Sequence, residues 1–308
     1  MRSGEALTFV AQAVRMAVPY TCAALGGVWS ERSGVVNIAL EGMLLAGGLA
    51  AVIAQHATGS AWIGVLSACA VAAAMGLAHA ATFVIGRVDA IVSGIALNLI
   101  AAGGTRFVLR ALYDSSSNSP AVEGFRASSF AGGGGGAVSI LARTLIDPAT
   151  LLTIALVVAT AWCMRRTPLG LRVRASGEDP EAARAAGVDV RRVRLAAVTI
   201  GAAICGLGGA ALAFDQHQFQ AGMSGGRGFI ALAAVIVSGW RPVRAAMACV
   251  AFAALDALQI AVQDRAGELR DLVQMLPYVA TLVTLAWIAS RRGRSEDGAP
   301  PAGLGKHA

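Results

Sequence analysis

An all-α, polytopic membrane fold of about nine transmembrane helices (eight to ten) is predicted by three observations. Hydrophobic residues make up 56% of the 308-residue chain and charged residues only 14%, whereas soluble domains carry roughly 25% charged residues. Mean hydropathy is +0.65. The stretches 42–86, 90–105, 148–164, 195–214 and 272–290 contain no Asp, Glu, Lys or Arg, and several approach or exceed the roughly 20 residues a spanning helix needs. One membrane domain over residues 1–308 follows, because spans of that length leave only short connections.

Apolar runs between breakers place the spans, in order, at about 8–29, 35–55, 61–86, 89–109, 148–164, 195–214, 228–240, 243–262 and 272–290. The first run follows Arg2, is interrupted by Arg15 and continues to Trp29, which is too long and too broken for a secretory signal. Arg32 precedes the second span and Arg87 follows the third. The fifth stops before Arg165 and Arg166, and the sixth begins after Arg194. Gly225, Gly226 and Gly228 open the seventh, Arg241 and Arg244 introduce the eighth, and Arg291 ends the ninth.

Two polar connections are long. Residues 110–147 hold the run Ser115–Ser117 and the five glycines Gly132–Gly136, and residues 165–194 hold eight arginines. The positive-inside rule places 165–194 in the cytoplasm. One helix separates the two connections, so 110–147 is expected outside. The same alternation puts Arg32, Arg87, Arg241, Arg244 and the tail 291–308, with Lys306, in the cytoplasm, and the N-terminus outside. The net charge of +7 is therefore read as cytoplasmic loops and not as a nucleic-acid surface.

An internal echo joins Asn37-Ile38-Ala39-Leu40-Glu41-Gly42 to Phe229-Ile230-Ala231-Leu232-Ala233-Ala234, each segment entered through glycine. The topology runs the two in opposite directions, which raises an inverted repeat as one arrangement. I-A-L is also a cheap match in a chain this rich in Ala and Leu.

Polar groups at membrane depth are costly and tend to face a pathway or another helix. That shortlist is Asn37 and Glu41, read as sharing a helix face, with Asn98, Ser238, Asp256 and Gln259. Phe229 joins them as a candidate on the path. Interhelical hydrogen bonding explains a lone Asn or Gln as readily as ligand contact. The five cysteines lie in apolar segments without C-x-x-C spacing and read as small buried hydrophobes.

The Arg-rich connection contains Gly177-Glu178-Asp179-Pro180 followed by Glu181-Ala182-Ala183-Arg184-Ala185-Ala186-Gly187. This is a short helix with proline in its first turn, acids beside its N-terminus and a glycine stop. Such a helix can dock on a partner, or it can be an ordinary solvated loop helix. Enzymatic readings fare badly. Gly222-Met223-Ser224-Gly225 resembles a G-x-S-G protease motif, but the only later histidine is His307. A Walker A loop needs Gly-Lys-Ser/Thr, and Lys306 is followed by His307.

Three dense motifs resemble bacterial ABC importer permeases of the branched-chain amino acid, ribose and simple sugar family, nearest to its nucleoside and simple sugar members. They are Glu31–Gly42, the Thr167–Val188 loop with its E-A-A-x-x-x-G segment, and Gly226–Ile236. The likeness covers roughly residues 15–290. It implies a permease in the bacterial cytoplasmic membrane, paired with a second related permease, ATP-binding cassette ATPases and an extracytoplasmic substrate-binding protein. It also implies that no cofactor is bound by this chain, ATP and magnesium being held by the ATPases. Glu181, Ala182, Ala183 and Gly187 would form the ATPase contact. Gly239-Trp240-Arg241-Pro242 departs from the more usual Gly-Arg-Trp-x-Pro. Two other classes compete: a secondary transporter using Glu41 or Asp256 as a proton or cation site, and a membrane anchor without transport.

Overall fold

The fold is described from a computed structural model for residues 3–125, 136–263, 275, 279–283, 286 and 299–306. Eleven helices are named among the described residues: α1 (Ser3–Arg32), α2 (Leu40–Thr58), α3 (Ala61–Val84), α4 (Ala90–Tyr113), α5 (Ala137–Ile146), α6 (Pro148–Arg166), α7 (Pro168–Glu178), α8 (Pro180–Ala185), α9 (Val190–Asp215), α10 (Arg227–Val237) and α11 (Pro242–Gln263). Six of them, α2, α3, α4, α6, α9 and α11, are long and apolar enough to cross a membrane. The expected span 272–290 falls mostly outside the described residues.

Local chemistry sets the helix starts. Asp147, Thr167 and Asp179 each precede a proline and accept a hydrogen bond from a backbone N–H of the first turn of α6, α7 and α8. An accepting side chain satisfies an orphan N–H, and proline at the first helical position has none to satisfy. Asp89 caps α4 in the same way, through Ile91 N at 2.8 Å and Val92 N at 3.2 Å.

α9 is the packing centre, with α1, α2 and α3 around it. Close approach is possible because α9 presents glycines to all three neighbours. A Cβ on Gly201 would lie 2.6 Å from the Gly26 carbonyl of α1, and one on Gly208 would lie 2.7 Å from the Cys22 Cβ. Gly206 sits equally tight against Ala68 of α3, and Gly209 against Leu44 of α2. Without a hydrophobic drive between helices in lipid, such small-residue contacts supply the association by van der Waals packing. The outer faces of α3 and α4 are the reverse: Leu66, Val92, Leu99, Ile100 and Phe107 are all at least 60% exposed. In water this would be an aggregating surface, whereas in a bilayer it faces hydrocarbon.

The two ends of the bundle differ. At the basic end, Arg32 of α1 donates to the Trp240 and Gly239 carbonyls after α10, and Arg194 at the start of α9 donates to Ser33 O. Trp240 takes a positive φ of 56° and donates its indole N–H to Glu31. At the other end, 117–122 pairs antiparallel with 217–221 through Ser119 N to Phe219 O, Val122 N to His217 O and Ala221 N to Ser117 O.

The structure departs from the sequence expectation in three places. The 110–147 connection is partly helical, since α4 runs to Tyr113 and α5 occupies Ala137–Ile146 against α1. The 165–194 connection is mostly α7, α8 and the start of α9. The apolar run 228–240 becomes the 11-residue α10. At 1.5 Å per residue that is about 16 Å, roughly half the hydrocarbon thickness.

Candidate functional site

Within the bundle the N-termini of α2 and α10 meet, each after an unwound approach. Residues 33–39 lead into α2, so Asn37 precedes the helix and does not share a face with Glu41. Asn37 is fully buried; its Oδ1 accepts from Ala39 N at 3.1 Å and its Nδ2 donates to Ser30 Oγ at 3.0 Å. Asn98 of α4 bridges the same joint. Its Nδ2 donates to Ile38 O at 2.9 Å and its Oδ1 accepts from Gly42 N at 2.7 Å, an orphan donor of the first turn of α2.

Glu41 reaches from α2 to α10. One carboxylate oxygen accepts from Gly226 N at 2.8 Å and the other from Gly228 N at 2.7 Å. An anion bound by free N–H groups at a helix start is the favourable arrangement of charge and dipole. A Cβ on Gly228 would collide with the Glu41 backbone, so glycine is required for the two helix starts to touch. Gly226 has a φ of 83°, which a side chain would disfavour.

Asp256 of α11 lies beside this junction. It accepts from Tyr20 OH at 2.7 Å and stands 3.9 Å from Arg227, whose guanidinium covers the Tyr20 ring at 5.8 Å. Phe229 is 49% exposed on α10. Ser238 is set apart, at the far end of α10, with its hydroxyl donated to Val235 O. Tyr20 and Arg227 are the participants that residue-by-residue reading of the sequence missed. Arg227, an arginine between glycines at membrane depth, was the available signal for a counter-charge to Asp256.

A cavity of about 300 Å³ runs from this cluster toward the less basic end, lined by Gln12, Arg15, Asp215, Gln216 and Arg227 among others. A second, of about 190 Å³, shares Arg15 and Asp215 and adds Arg143, Asp147 and Thr150. Gln216 Oε1 and Thr150 Oγ1 are buried with no hydrogen-bond partner among the described residues, which suits an occupant carrying hydroxyl or amide groups. Burial raises the Asp147 carboxyl above its usual range, against the opposing pull of the Thr150 and Ala149 N–H groups. The larger volume lies at the small end of ligand pockets, which run from about 300 to 1,000 Å³.

The second region is the loop at the basic end. Pro180 and Ala183 of α8 are buried, whereas Glu181, Ala182, Arg184, Ala185 and Gly187 face solvent. Gly187 closes the helix at a φ of 82°, donating to Arg184 O at 2.9 Å while Val188 N donates to Ala183 O at 3.0 Å. α8 is thus held on one face and open to solvent on the other.

The family described as "Branched-chain amino acid transport system / permease component" matches residues 9–282. The chain is 33% identical over 293 residues to the guanosine ABC transporter permease protein of Bacillus subtilis, covering 89% of this chain and 90% of that one. It is 33% identical over 311 residues to a putative glucose ABC transporter permease protein of Haloferax volcanii, 90% of each. It is 29% identical over 301 residues to the nucleoside ABC transporter permease protein of Lactococcus lactis, 90% of each. No solved structure matches.

Proposed function

Because this chain belongs to the branched-chain amino acid transport system permease family, we propose that it is the membrane-spanning subunit of an importer for nucleosides, or secondarily simple sugars, driven by ATP hydrolysed on partner chains. The relatives are permease subunits of ABC transporters named for guanosine, nucleosides and glucose. The observation that carries the reading is a helical body with six span-length apolar helices and an exposed α8 at its basic end, in a chain matched over residues 9–282.

In this reading the basic end, with α7, α8 and the tail, faces the cytoplasm of a bacterial inner membrane. The ATPase grips α8 through Glu181, Ala182, Ala183 and Gly187, and holds the ATP and magnesium. A second, related permease completes the path, and an external binding protein delivers solute to the end closed by 117–122 and 217–221. The cavity between Arg15 and Arg227 is the route inward; Phe229, Asn37, Glu41, Asn98, Ser238 and Asp256 do not line it and are the residues to test at and beyond the junction it reaches. Alternating access needs broken helices that hinge at mid-depth, and the α2–α10 junction supplies two. This chain's part is binding, gating and transmission, with no covalent chemistry.

The comparisons give no support to an ion-coupled carrier. Both carboxylates proposed for one are already engaged, Glu41 by two N–H groups and Asp256 by Tyr20 and Arg227. Uptake of labelled nucleosides and pentoses into vesicles carrying the assembled complex tests the proposal. ATP-dependent, binding-protein-dependent nucleoside uptake is expected; uptake that collapses with an uncoupler at constant ATP would overturn it.

A further inference from the structure

Arg194 is a fully buried guanidinium with no carboxylate within ion-pair distance among the described residues. Its three nitrogens donate to three backbone carbonyls: Nε to Ser33 at 3.0 Å, Nη1 to Lys306 at 2.9 Å and Nη2 to Ser176 at 3.3 Å. Its guanidinium also lies 5.6 Å from the ring centre of Phe83, near the end of α3. Two of the carbonyls belong to helix C-termini. Ser33 follows the end of α1 and Ser176 lies in the last turn of α7. The partial negative charge of two helix ends thus stands in for the missing carboxylate.

The third carbonyl comes from the tail, which lies as a strap across the same joint. Gly303 N donates to Gly177 O at 2.8 Å, Gly305 N to Gly34 O at 2.9 Å and Ala302 N to the Glu178 carboxylate at 3.3 Å. Pro301 and Gly303 are buried. A Cβ on Gly303 would sit 2.8 Å from Gly177 O and 3.0 Å from the Pro180 ring at the start of α8. One side of the strap therefore holds the α7–α8 corner and the other holds Gly34, five residues before Ala39, where the approach to α2 ends.

We propose that Arg194 and the docked tail, residues 299–306, are the positioning element that transmits displacement of α8 to the α2–α10 junction. Buried donors left without acceptors are costly, so the α7 end, the 33–34 turn and the strap move as one body. From that turn only Val35–Ala39 separate the clamp from α2 and Glu41, and Glu41 in turn holds the start of α10. The strap and Arg194 reinforce a direct contact between the same parts, Gly177 packing against Arg32 O and Gly34 and Glu178 standing 3.5 Å from the Arg32 guanidinium. The inference rests on the importer reading for its direction of drive.

The test uses the complete complex in proteoliposomes, with three variants: termination after Gly298, Gly303→Val, which keeps the tail but blocks its seat, and Arg194→Lys. Solute transported per ATP hydrolysed is expected to fall about fivefold or more in the first two, the range of ordinary coupling energies. Arg194→Lys, which keeps the charge but loses the three-way fork, is expected to fall between them and wild type. A ratio equal to wild type in Gly303→Val, at whatever total activity, would overturn the proposal and leave the tail a structural staple. Amide exchange at residues 35–41 reads the same transmission without solute. It is expected to change on ATP addition in wild type and not in Gly303→Val, and an equal response in both would also overturn it. A wild-type complex that shows the exchange response but no ATP-driven uptake would count against the importer reading alone.

Discussion

Glu41 carries the sharpest residue-level consequence. Both of its oxygens accept from the first N–H groups of α10, and glutamine would turn an NH2 toward one of them. Glu41→Gln is therefore expected to lower the stability of the complex by about 1–3 kcal/mol, the cost of an unmet buried donor. Thermal unfolding in detergent measures it, and lost uptake at unchanged stability would instead place Glu41 in direct contact with solute. The Arg227–Asp256 pair behaves differently, being a charge pair whose members are 18% and 14% exposed. Removing one partner strands the other. Arg227→Met and Asp256→Leu singly are thus expected to destabilise more than the double variant, and additive losses would contradict the pairing. These partnerships were only half legible in the sequence. Intramembrane Glu41, Asn98 and Asp256 stand out because charge and amide groups are expensive there, but the groups they hydrogen-bond lie 56 to 236 residues away.

Among the elements, what is written locally was legible and what depends on contact was not. The Asp-Pro and Thr-Pro starts of α6, α7 and α8 follow from cap chemistry in adjacent residues. So does the glycine stop of α8. The short length of α10 was legible, since the run 228–240 lies between Arg227 and Arg241 and falls well short of a full span, but hydropathy does not register that its start is held by Glu41. Asn37 was misplaced on the α2 face for a related reason: four-residue spacing implies a shared face only inside a helix, and α2 begins at Leu40. α5 follows a glycine run and is only ten residues long, too short to register as a span. For α8, Gly187→Ala has open space around the added carbon but keeps a φ of 82°. A left-handed residue with a Cβ costs roughly 1–2 kcal/mol, so a modest loss of coupling is expected. Gly187→Glu adds bulk and charge to the exposed knob and is expected to abolish uptake while leaving the chain folded, as judged by its yield in the membrane and its elution profile.

At the scale of the molecule, one run of contacts joins the two ends. The 117–122 loop pairs with 217–221, which leads into α10; α10 is held by Glu41 of α2; and α2 follows the turn clamped by Arg194 beside α7. α2 and α10 meet at their N-termini, but the echoed segments 37–42 and 229–234 are not equivalent there: 37–39 precede α2, whereas 229–234 lie wholly within α10. The exposed apolar faces of α3 and α4 and the small-residue seams of α9 place the body in lipid. A cavity runs beside Arg227, and the exposed face of α8 lies at the basic end. The measurement that tests the account most directly is ATP-driven uptake of a labelled nucleoside by the assembled complex, wild type against Gly187→Glu, with complex yield and ATP hydrolysis followed in parallel. Uptake in the wild type, lost in the variant while the complex still assembles, is the predicted result; equal uptake in both would contradict the role given to α8 and the central claim with it.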